Sequence, residues 1–262
     1  MIDPMLNNAG KNHESYKKEI QWLLKEKYQG VMGAGTKNDI ARIKRSEPIA
    51  YVIGFVDFLD CKIDLSQKPL IPRTETEFWV EKMISEMKSQ QKVTAIKCLD
   101  IFSGSGCVGI AVLKHIPSST VDFVDSNTKA IKQIDINCKL NSIPPSRWHV
   151  IKSDIFDQVT DSYDYIFANP PYISKNKKNE VQESVLLYEP IEALFGGKDG
   201  LLYIRKFLSE AKNHLNSNGK IWMEFGSTQK DSISKILCKE GFIKSKFYRD
   251  QFGKWRYVVT SK

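Results

Sequence analysis

From residue 74 onward the chain alternates strand-like and helix-like segments, and this alternation limits the fold more than any other feature. Short apolar runs of strand length are separated by stretches with helical periodicity. The predicted strands are 96–101, 121–125, 148–151, 163–168 and 220–225, and the predicted helices between them are 107–115, 128–140 and 199–215. The pattern is typical of an α/β protein with a doubly wound, mostly parallel sheet. Such sheets bind ligands beyond the carboxyl ends of their strands.

The two ends of the chain depart from this alternation. Helical spacing predicts helices over 14–28 and 37–45, and β-forming residues predict strand over 49–54 and a hairpin within 55–65. Thr74 and Glu77 have the spacing of a capping box at the start of a helix. The last segments, 242–249 and 255–260, predict an antiparallel hairpin at the end of the sheet. We therefore expect a small helical N-terminal domain (1–47), a β-hairpin linker (48–70) and a main domain (71–262).

Composition excludes several classes of protein. No apolar stretch approaches the ~18 residues of a membrane helix, and Met1–Met5 does not begin a secretory signal or an organelle presequence. Five scattered cysteines without a C-x-x-C pair indicate reduced thiols, and neither they nor the four histidines have zinc spacing. We expect a cytoplasmic protein without a metal. The net charge of +8 favours encounters with anionic partners, although lysine-rich faces are more often simply solvated.

A glycine-rich segment follows the first predicted strand and opens the next helix, as a nucleotide-binding loop does. Asp125 ends the second strand, where a carboxylate can accept hydrogen bonds from two ribose hydroxyls. The loop alone would also suit a nicotinamide cofactor. The candidate cofactor-binding residues in this region are Asp100, Phe102, Ser103, Gly104, Ser105, Gly106 and Asp125.

The segment Asn169-Pro170-Pro171-Tyr172 ends the fourth predicted strand. Asn169 precedes a proline, so its backbone is extended and its side chain can point into the crevice. The prolines fix the direction of the Pro170 carbonyl, and the two acceptors can hold both hydrogens of one NH2 group. Tyr172 offers an aromatic face to the planar group that carries this nitrogen. We expect Asn169, Pro170 and Tyr172 to be catalytic and the whole tetrapeptide to bind substrate.

A third candidate segment follows the strand at 148–151. Asp154 can accept a hydrogen bond from an adenine amine, and Ile155 or Phe156 can cover the face of the ring. The same residues also fit a polar loop beside one buried aromatic side chain. Their position next to the other two segments favours the cofactor role.

Together these segments resemble S-adenosylmethionine-dependent methyltransferases that modify planar NH2 groups. Segments 70–77 and 188–201 are similar to signatures of the release factor glutamine N5-methyltransferases (the PrmC/HemK family), and segment 48–54 is similar to the linker of that family. The resemblance implies a Rossmann-like class I methyltransferase fold. It also implies transfer of a methyl group to the side-chain amide nitrogen (N5) of the glutamine in the Gly-Gly-Gln motif of a peptide-chain release factor.

The resemblance also implies roles for individual residues. The loop 102–106 would hold the amino-acid end of S-adenosylmethionine, Asp125 the ribose and Phe156 the adenine, while 169–172 would hold the glutamine and Asn169 would also face the cofactor. The family usually has glycine where this chain has Phe102, and we expect an ordinary negative φ there. The N-terminal helical piece is shorter than is common in the family. We expect a monomer whose partner is a release factor, with no stable nucleic-acid partner.

Three alternatives stay open at this point. An adenine or guanine methyltransferase acting on nucleic acid would use the same tetrapeptide, but the chain has no long insertion for base flipping. A nicotinamide-dependent dehydrogenase would leave the segment 169–172 unexplained. A non-catalytic scaffold would not require both Asn169 and Asp125 to be intact.

Overall fold

The structure is a computed structural model that describes residues 13–90 and 95–262. The N-terminal residues in which the sequence predicts no targeting signal lie outside these ranges. The α-helices of the described part are α1 (His13–Tyr28), α2 (Ala34–Lys44), α3 (Ile49–Ile53), α4 (Thr74–Ser89), α5 (Cys107–His115), α6 (Thr128–Leu140), α7 (Glu183–Tyr188), α8 (Leu202–Ala211) and α9 (Lys230–Lys239). Its strands are β1 (Phe55–Phe58), β2 (Cys61–Asp64), β3 (Ile96–Ile101), β4 (Ser119–Asp125), β5 (Trp148–Lys152), β6 (Tyr163–Ala168), β7 (Leu215–Glu224), β8 (Lys244–Arg249) and β9 (Trp255–Ser261).

Seven of these strands form one sheet in the order β5-β4-β3-β6-β7-β9-β8. The strands from β5 to β7 pair in parallel, whereas β9 pairs antiparallel to β7 and β8 pairs antiparallel to β9. The predicted α/β sheet with a terminal antiparallel hairpin is therefore confirmed. The order of the strands reverses between β3 and β6, so a crevice opens at the carboxyl ends of these two strands.

Apolar side chains cover both faces of this sheet. On one face Trp79 and Met83 of α4 and Ile110 of α5 belong to a buried cluster. On the other face Phe207 of α8 and Ile233 of α9 are buried completely. Strands covered on both sides consist of nearly continuous apolar runs, which explains why the sequence pattern located them. No helix in the two described ranges is long and apolar enough to cross a membrane.

The N-terminal helices surround a small apolar cluster that contains Leu23, Ile43 and Val52. The strand predicted over 49–54 is wrong, because Ile49–Ile53 forms helix α3. Gly54 ends this helix with φ +101°, and its N–H donates to the Ala50 carbonyl. The apolar run is buried on all sides here, and such a run does not distinguish a strand from a short buried helix. The predicted hairpin is confirmed as β1 and β2, which pair antiparallel; the domain limits at 47 and 70 stay predictions.

The predicted capping box of α4 is also wrong. The helix begins at Thr74, but its N-cap residue is Arg73, which makes no capping bond through its side chain. The Glu77 carboxylate instead accepts a hydrogen bond of 2.9 Å from the backbone N–H of Leu59, at the turn between β1 and β2. A contact with the hairpin has thus replaced the local cap.

Candidate functional site

A cavity of about 770 Å³ lies at the carboxyl ends of the central strands. It brings together the three segments that the sequence singled out, because the parallel strands β3, β4, β5 and β6 end at one edge of the sheet. The predicted site residues that line it are Asp100, Phe102, Ser103, Gly104, Ser105, Asp125, Asp154, Asn169 and Pro171. Its size is within the range of small-molecule and cofactor sites.

Hydrogen bonds to β4 hold the glycine-rich loop in place. The N–H of Ser103 donates to the Val124 carbonyl over 3.1 Å, and the N–H of Gly104 donates to Asp125 Oδ2 over 2.9 Å. Gly106 precedes α5 with φ +78°, and an added Cβ would lie 3.2 Å from atoms of both Ile110 and Ile134. Gly106 therefore allows the chain to turn into α5 and faces the core behind the loop. It is not part of the cavity wall.

Phe102 has a φ of +61°, and the expectation of an ordinary negative φ is wrong. Its ring packs edge-on against Tyr203 and Phe207, with centroid distances of 6.2 Å to each. Bulky residues seldom adopt this left-handed conformation, since the side chain crowds the backbone. The aromatic contacts offset this strain, and Phe102 contributes to the wall of the cavity.

Two aspartates lie beneath the loop. Asp100 is 3% exposed and accepts a hydrogen bond of 2.9 Å from the N–H of Gly109. Burial raises the pKa of Asp100 to about 8, and the bond from Gly109 opposes part of this rise. Asp125 accepts from the N–H groups of Gly104 and Asn127; burial raises the pKa of Asp125 while these N–H groups oppose the rise.

The segment after β5 is split between the cavity and the core. Asp154 lines the cavity and lies 3.6 Å from Lys206 Nζ. Ile155 lines it as well and has a φ of +52°. Phe156, in contrast, is 3% exposed and stacks on His214 at a centroid distance of 4.5 Å, outside the cavity wall. The apolar side chain that the structure offers to a ligand at this position is Ile155.

Asn169 and Pro171 line the main cavity, whereas Pro170 and Tyr172 line a small adjoining pocket. Asn169 lies in both walls, so the tetrapeptide separates the two spaces. Its Nδ2 donates to Thr76 Oγ1 over 3.4 Å, and the Tyr172 hydroxyl donates to Glu224 Oε1 over 3.1 Å. The Asn169 Oδ1 is the atom left to accept a hydrogen bond from a bound molecule.

A glycine-containing segment holds the backbone of this tetrapeptide. A Cβ on Gly196 would lie 2.3 Å from the Pro171 carbonyl oxygen, and a Cβ on Gly200 would lie 2.3 Å from that of Tyr172. Both positions require glycine because backbone atoms approach too closely for a side chain. Gln229 closes this arrangement, since its Nε2 donates to the carbonyls of Tyr172 and Gly200.

The segments 70–77 and 188–201 meet at the cavity through an ion pair. Arg73 Nη2 lies 2.6 Å from Glu189 Oε1, and the N–H of Ile71 donates to Glu189 Oε2 over 3.1 Å. Arg73 and Glu189 both line the cavity. The chain therefore joins two distant segments into one wall beside Asn169.

Glu224 and Gln229 are site residues that the sequence analysis missed. Glu224 is 1% exposed at the end of β7, and burial raises its pKa. A signal was present, since an acidic residue directly after the apolar run 221–223 resembles the feature that identified Asp125. Gln229 follows the strand by five positions and has no comparable signal in the sequence.

Comparison with known proteins gives matches over most of the chain. The family model described as "Methyltransferase small domain" matches residues 76–204. The release factor glutamine methyltransferase of Lactococcus lactis is 35% identical over 218 residues, which cover 83% of this chain and 78% of that protein. The enzyme of the same name from Thermodesulfovibrio yellowstonii is 34% identical over 227 residues, covering 86% and 80%.

A solved structure shares the fold at lower identity. The crystal structure of a methyltransferase from Pyrococcus furiosus superposes with a TM-score of 0.57 at 21% identity. The alignment covers 85% of this chain and 97% of that one. This likeness, together with the sheet order, identifies the fold as that of the class I methyltransferases.

Proposed function

The chain belongs to the release factor glutamine methyltransferase family, and from this we propose that it methylates the glutamine of a Gly-Gly-Gln motif. The methyl group would pass from S-adenosylmethionine to the side-chain amide nitrogen, N5, of this glutamine in a peptide-chain release factor. The observation that carries the proposal is that Asn169 and Asp125 line one cavity. Asn169 would bind the side-chain amide of the substrate glutamine, and Asp125 would bind the ribose of the cofactor.

The lining of the cavity fits S-adenosylmethionine, since it offers carboxylates for hydroxyl and amine groups and an apolar side chain for the ring. We assign the ribose hydroxyls to Asp125, the adenine amine to Asp154 and the adenine face to Ile155. When bound, S-adenosylmethionine supplies an activated methyl group on a positively charged sulfur. The loop 102–106 would enclose its amino-acid end. Behind the loop, Asp100 binds the N–H of Gly109 in α5, and Gly106 makes the turn into that helix. Phe156 is buried in the core next to Ile155 in the sequence.

Asn169 and Pro170 would make the amide nitrogen reactive by holding both of its hydrogens. An amide nitrogen is a poor nucleophile because its lone pair is delocalised into the carbonyl. Hydrogen bonds to the Asn169 Oδ1 and the Pro170 carbonyl orient this nitrogen and stabilise the positive charge that develops on it. The ring of Tyr172 would pack against the planar amide. No general base is needed before transfer, because the methylated product releases its proton readily.

The test is methyl transfer from labelled S-adenosylmethionine to a purified release factor. The same factor with alanine in place of the Gly-Gly-Gln glutamine is the control. Label on the first protein and none on the second supports both the reaction and its target. Label on ribosomal RNA or DNA, offered in parallel, with none on either protein would instead indicate a nucleic-acid methyltransferase.

The substitution Asn169→Ala tests the role of the tetrapeptide. We expect kcat to fall about 100-fold, the scale of losing a preorganised partner of a developing charge. The affinity for S-adenosylmethionine, measured by calorimetry, should stay within a few-fold because Asp125 and the loop are unchanged. An equal loss of cofactor affinity would contradict the catalytic role of Asn169.

We further propose that residues 1–47 dock the release factor and that the enzyme acts as a monomer in the cytoplasm. Trp22 of α1 is about half exposed, and Val31 and Met32 beyond it are more exposed, so this part presents apolar surface to a partner. All five cysteines are free thiols, which suits a reducing compartment.

A further inference from the structure

Glu224 is only 1% exposed and accepts three side-chain hydrogen bonds. Its Oε2 accepts from Thr76 Oγ1 and from Trp79 Nε1, each over 2.7 Å, and its Oε1 accepts from the Tyr172 hydroxyl over 3.1 Å. A buried carboxylate is costly unless its oxygens are satisfied. Here the donors come from helix α4 on one side and from the tetrapeptide 169–172 on the other.

The bond to Thr76 determines how the amide of Asn169 is oriented. A threonine hydroxyl has one hydrogen, and Thr76 gives that hydrogen to Glu224. Thr76 Oγ1 can then only accept from Asn169, so the Asn169 side chain presents its Nδ2 to Thr76. Its oxygen is thereby reserved for a ligand. The carboxylate thus acts on Asn169 through one intervening hydroxyl.

The bond to Tyr172 fixes the other end of the tetrapeptide. The Tyr172 hydroxyl donates to Glu224 and lies 3.4 Å from Arg256 Nη1, which donates to it. Arg256 is 2% exposed, and its Nε donates to Asp250 over 3.0 Å. Charged groups on β7 and β9 therefore hold this hydroxyl from two sides.

We propose that Glu224 is a positioning residue that orients Asn169 and Tyr172 for the amide of the substrate, a role that rests on the proposed function. Glu224 is connected to the tetrapeptide in two ways, through Thr76 to Asn169 and directly to Tyr172. In each connection the carboxylate accepts, and this determines which of the other atoms donate. Buried apolar residues often stabilise a fold as well as a buried ionic group does. A purely structural role would not require this direction of the hydrogen bonds.

The substitution Glu224→Gln separates the two connections. Two donors, Thr76 and Trp79, face one oxygen, so the glutamine oxygen should stay there and its NH2 should face Tyr172. The Tyr172 hydroxyl then loses the Glu224 oxygen as an acceptor and faces the new NH2 group as well as Arg256 Nη1. We expect kcat to fall between about 10- and 100-fold, since small misplacements of a site have effects of this size. The Kd for S-adenosylmethionine and the KM for the release factor should stay within about threefold.

Asp122→Asn is the matched control. The Tyr163 hydroxyl donates to Asp122 Oδ2 over 2.8 Å, the same kind of bond at the opposite end of β6. This variant should cost stability without changing kcat by more than about twofold. A comparable loss of kcat in both variants would overturn the proposal, because it would indicate a general effect on the fold of replacing a carboxylate with an amide.

A double-mutant cycle with Tyr172→Phe tests whether Glu224 acts through the tyrosine hydroxyl. In the Tyr172→Phe background, Glu224→Gln should lower kcat by less than about threefold further. Fully multiplicative effects would contradict this connection. Should Glu224→Gln fail to fold, Thr76→Val and Tyr172→Phe interrupt the two connections one at a time, and each should lower kcat with cofactor affinity retained.

The fluorine NMR spectrum of fluorotyrosine-labelled protein tests the positioning without any substrate. The resonance of Tyr172, assigned by its loss in Tyr172→Phe, should shift or broaden in Glu224→Gln and stay unchanged in Asp122→Asn. A wild-type enzyme that methylates no release factor would refute the proposed function, and this spectrum would still decide the positioning. An active wild type with an unchanged Tyr172 resonance and kcat in Glu224→Gln would refute the positioning alone.

Discussion

Asp100 is a carboxyl group whose proton the folded chain retains more strongly than the unfolded chain does. Burial raises its pKa from 3.8 to about 8. Between these values the unfolded chain releases a proton that the folded chain keeps, so this residue lowers stability as the pH rises from about 4 to about 8. A neutral residue of the same shape would remove this dependence.

We therefore predict that Asp100→Asn gains stability relative to the wild type as the pH is raised. The free energy of unfolding is measured in urea, without cofactor, at pH 5 and at pH 8.5 for both proteins. The stability of Asp100→Asn relative to the wild type should be higher at pH 8.5 than at pH 5 by a few kcal/mol, since each pKa unit corresponds to about 1.4 kcal/mol. Asp125, whose charge contributes to the raised pKa of Asp100, remains in both proteins. An equal difference at the two pH values would contradict the raised pKa.

The sequence could predict the residues whose position follows from strand ends, but not those whose setting depends on distant contacts. Asp125 and Asn169 end parallel strands and therefore lie in the cavity, as expected. The backbone of Phe102 and the direction of Phe156 depend instead on Phe207, which packs against both rings from more than fifty positions away. No local pattern contains that information.

At the scale of elements, the segment from Gly196 to Gly200 is expected to be intolerant of side chains. We predict that Gly196→Ala lowers kcat about tenfold or more, because its Cβ would lie 2.3 Å from the Pro171 carbonyl oxygen and 2.6 Å from that of Gly200. Stability should fall by about 1–3 kcal/mol. Steady-state kinetics and thermal unfolding measure the two effects.

Gly33→Ala is the matched control for this substitution. An added Cβ at Gly33 would meet nothing within 4 Å, so kcat should change little. Stability should fall by less than in Gly196→Ala, because only the N-cap of α2 is altered. If Gly196→Ala were as active as Gly33→Ala, the close backbone approach around Pro171 would not be needed for catalysis.

The elements differ in how well the sequence predicts them. The helices over 107–115 and 128–140 and the strand over 96–101 form as predicted, because their periodicity matches their burial. Helix α3 was mistaken for a strand, since a five-residue helix buried nearly all round has no periodicity to show. Its limits depend on Pro48 and Gly54 and on the N-terminal helices that cover it.

At the scale of the whole molecule, Arg42 links the N-terminal helices to the chain that follows. Its Nε and Nη2 each donate to Glu47 over 2.9 Å, and its Nη1 donates to Asp39 over 3.0 Å. The bond from Arg42 lowers the pKa of Glu47, which itself lies 3.1 Å from Lys68 Nζ. Removing the guanidinium leaves two largely buried carboxylates with fewer partners.

We predict that Arg42→Met loosens α1 and α2 and leaves the sheet unchanged. Hydrogen exchange should accelerate about tenfold or more at the amides of these helices and not in β3 or β6. If residues 1–47 dock the release factor, its KM should rise while kcat changes little. Lys18→Met removes an exposed ion pair with Glu14 and is the control; it should change neither the hydrogen exchange of the helices nor the KM. Faster exchange throughout the sheet in Arg42→Met would contradict the prediction, because it would show that the helices do not respond separately.

The hydrogen bond from Trp79 to Glu224 joins residues 145 positions apart, and the same cluster includes Arg256 on the last strand. Contacts of such long sequence separation form slowly, because the intervening chain must first be brought together. A polypeptide that is still being synthesised, and has not yet added β9, lacks one of the two charges that hold the Tyr172 hydroxyl. Translation must therefore proceed through nearly the whole described chain before the hydrogen-bond network that orients the tetrapeptide is complete.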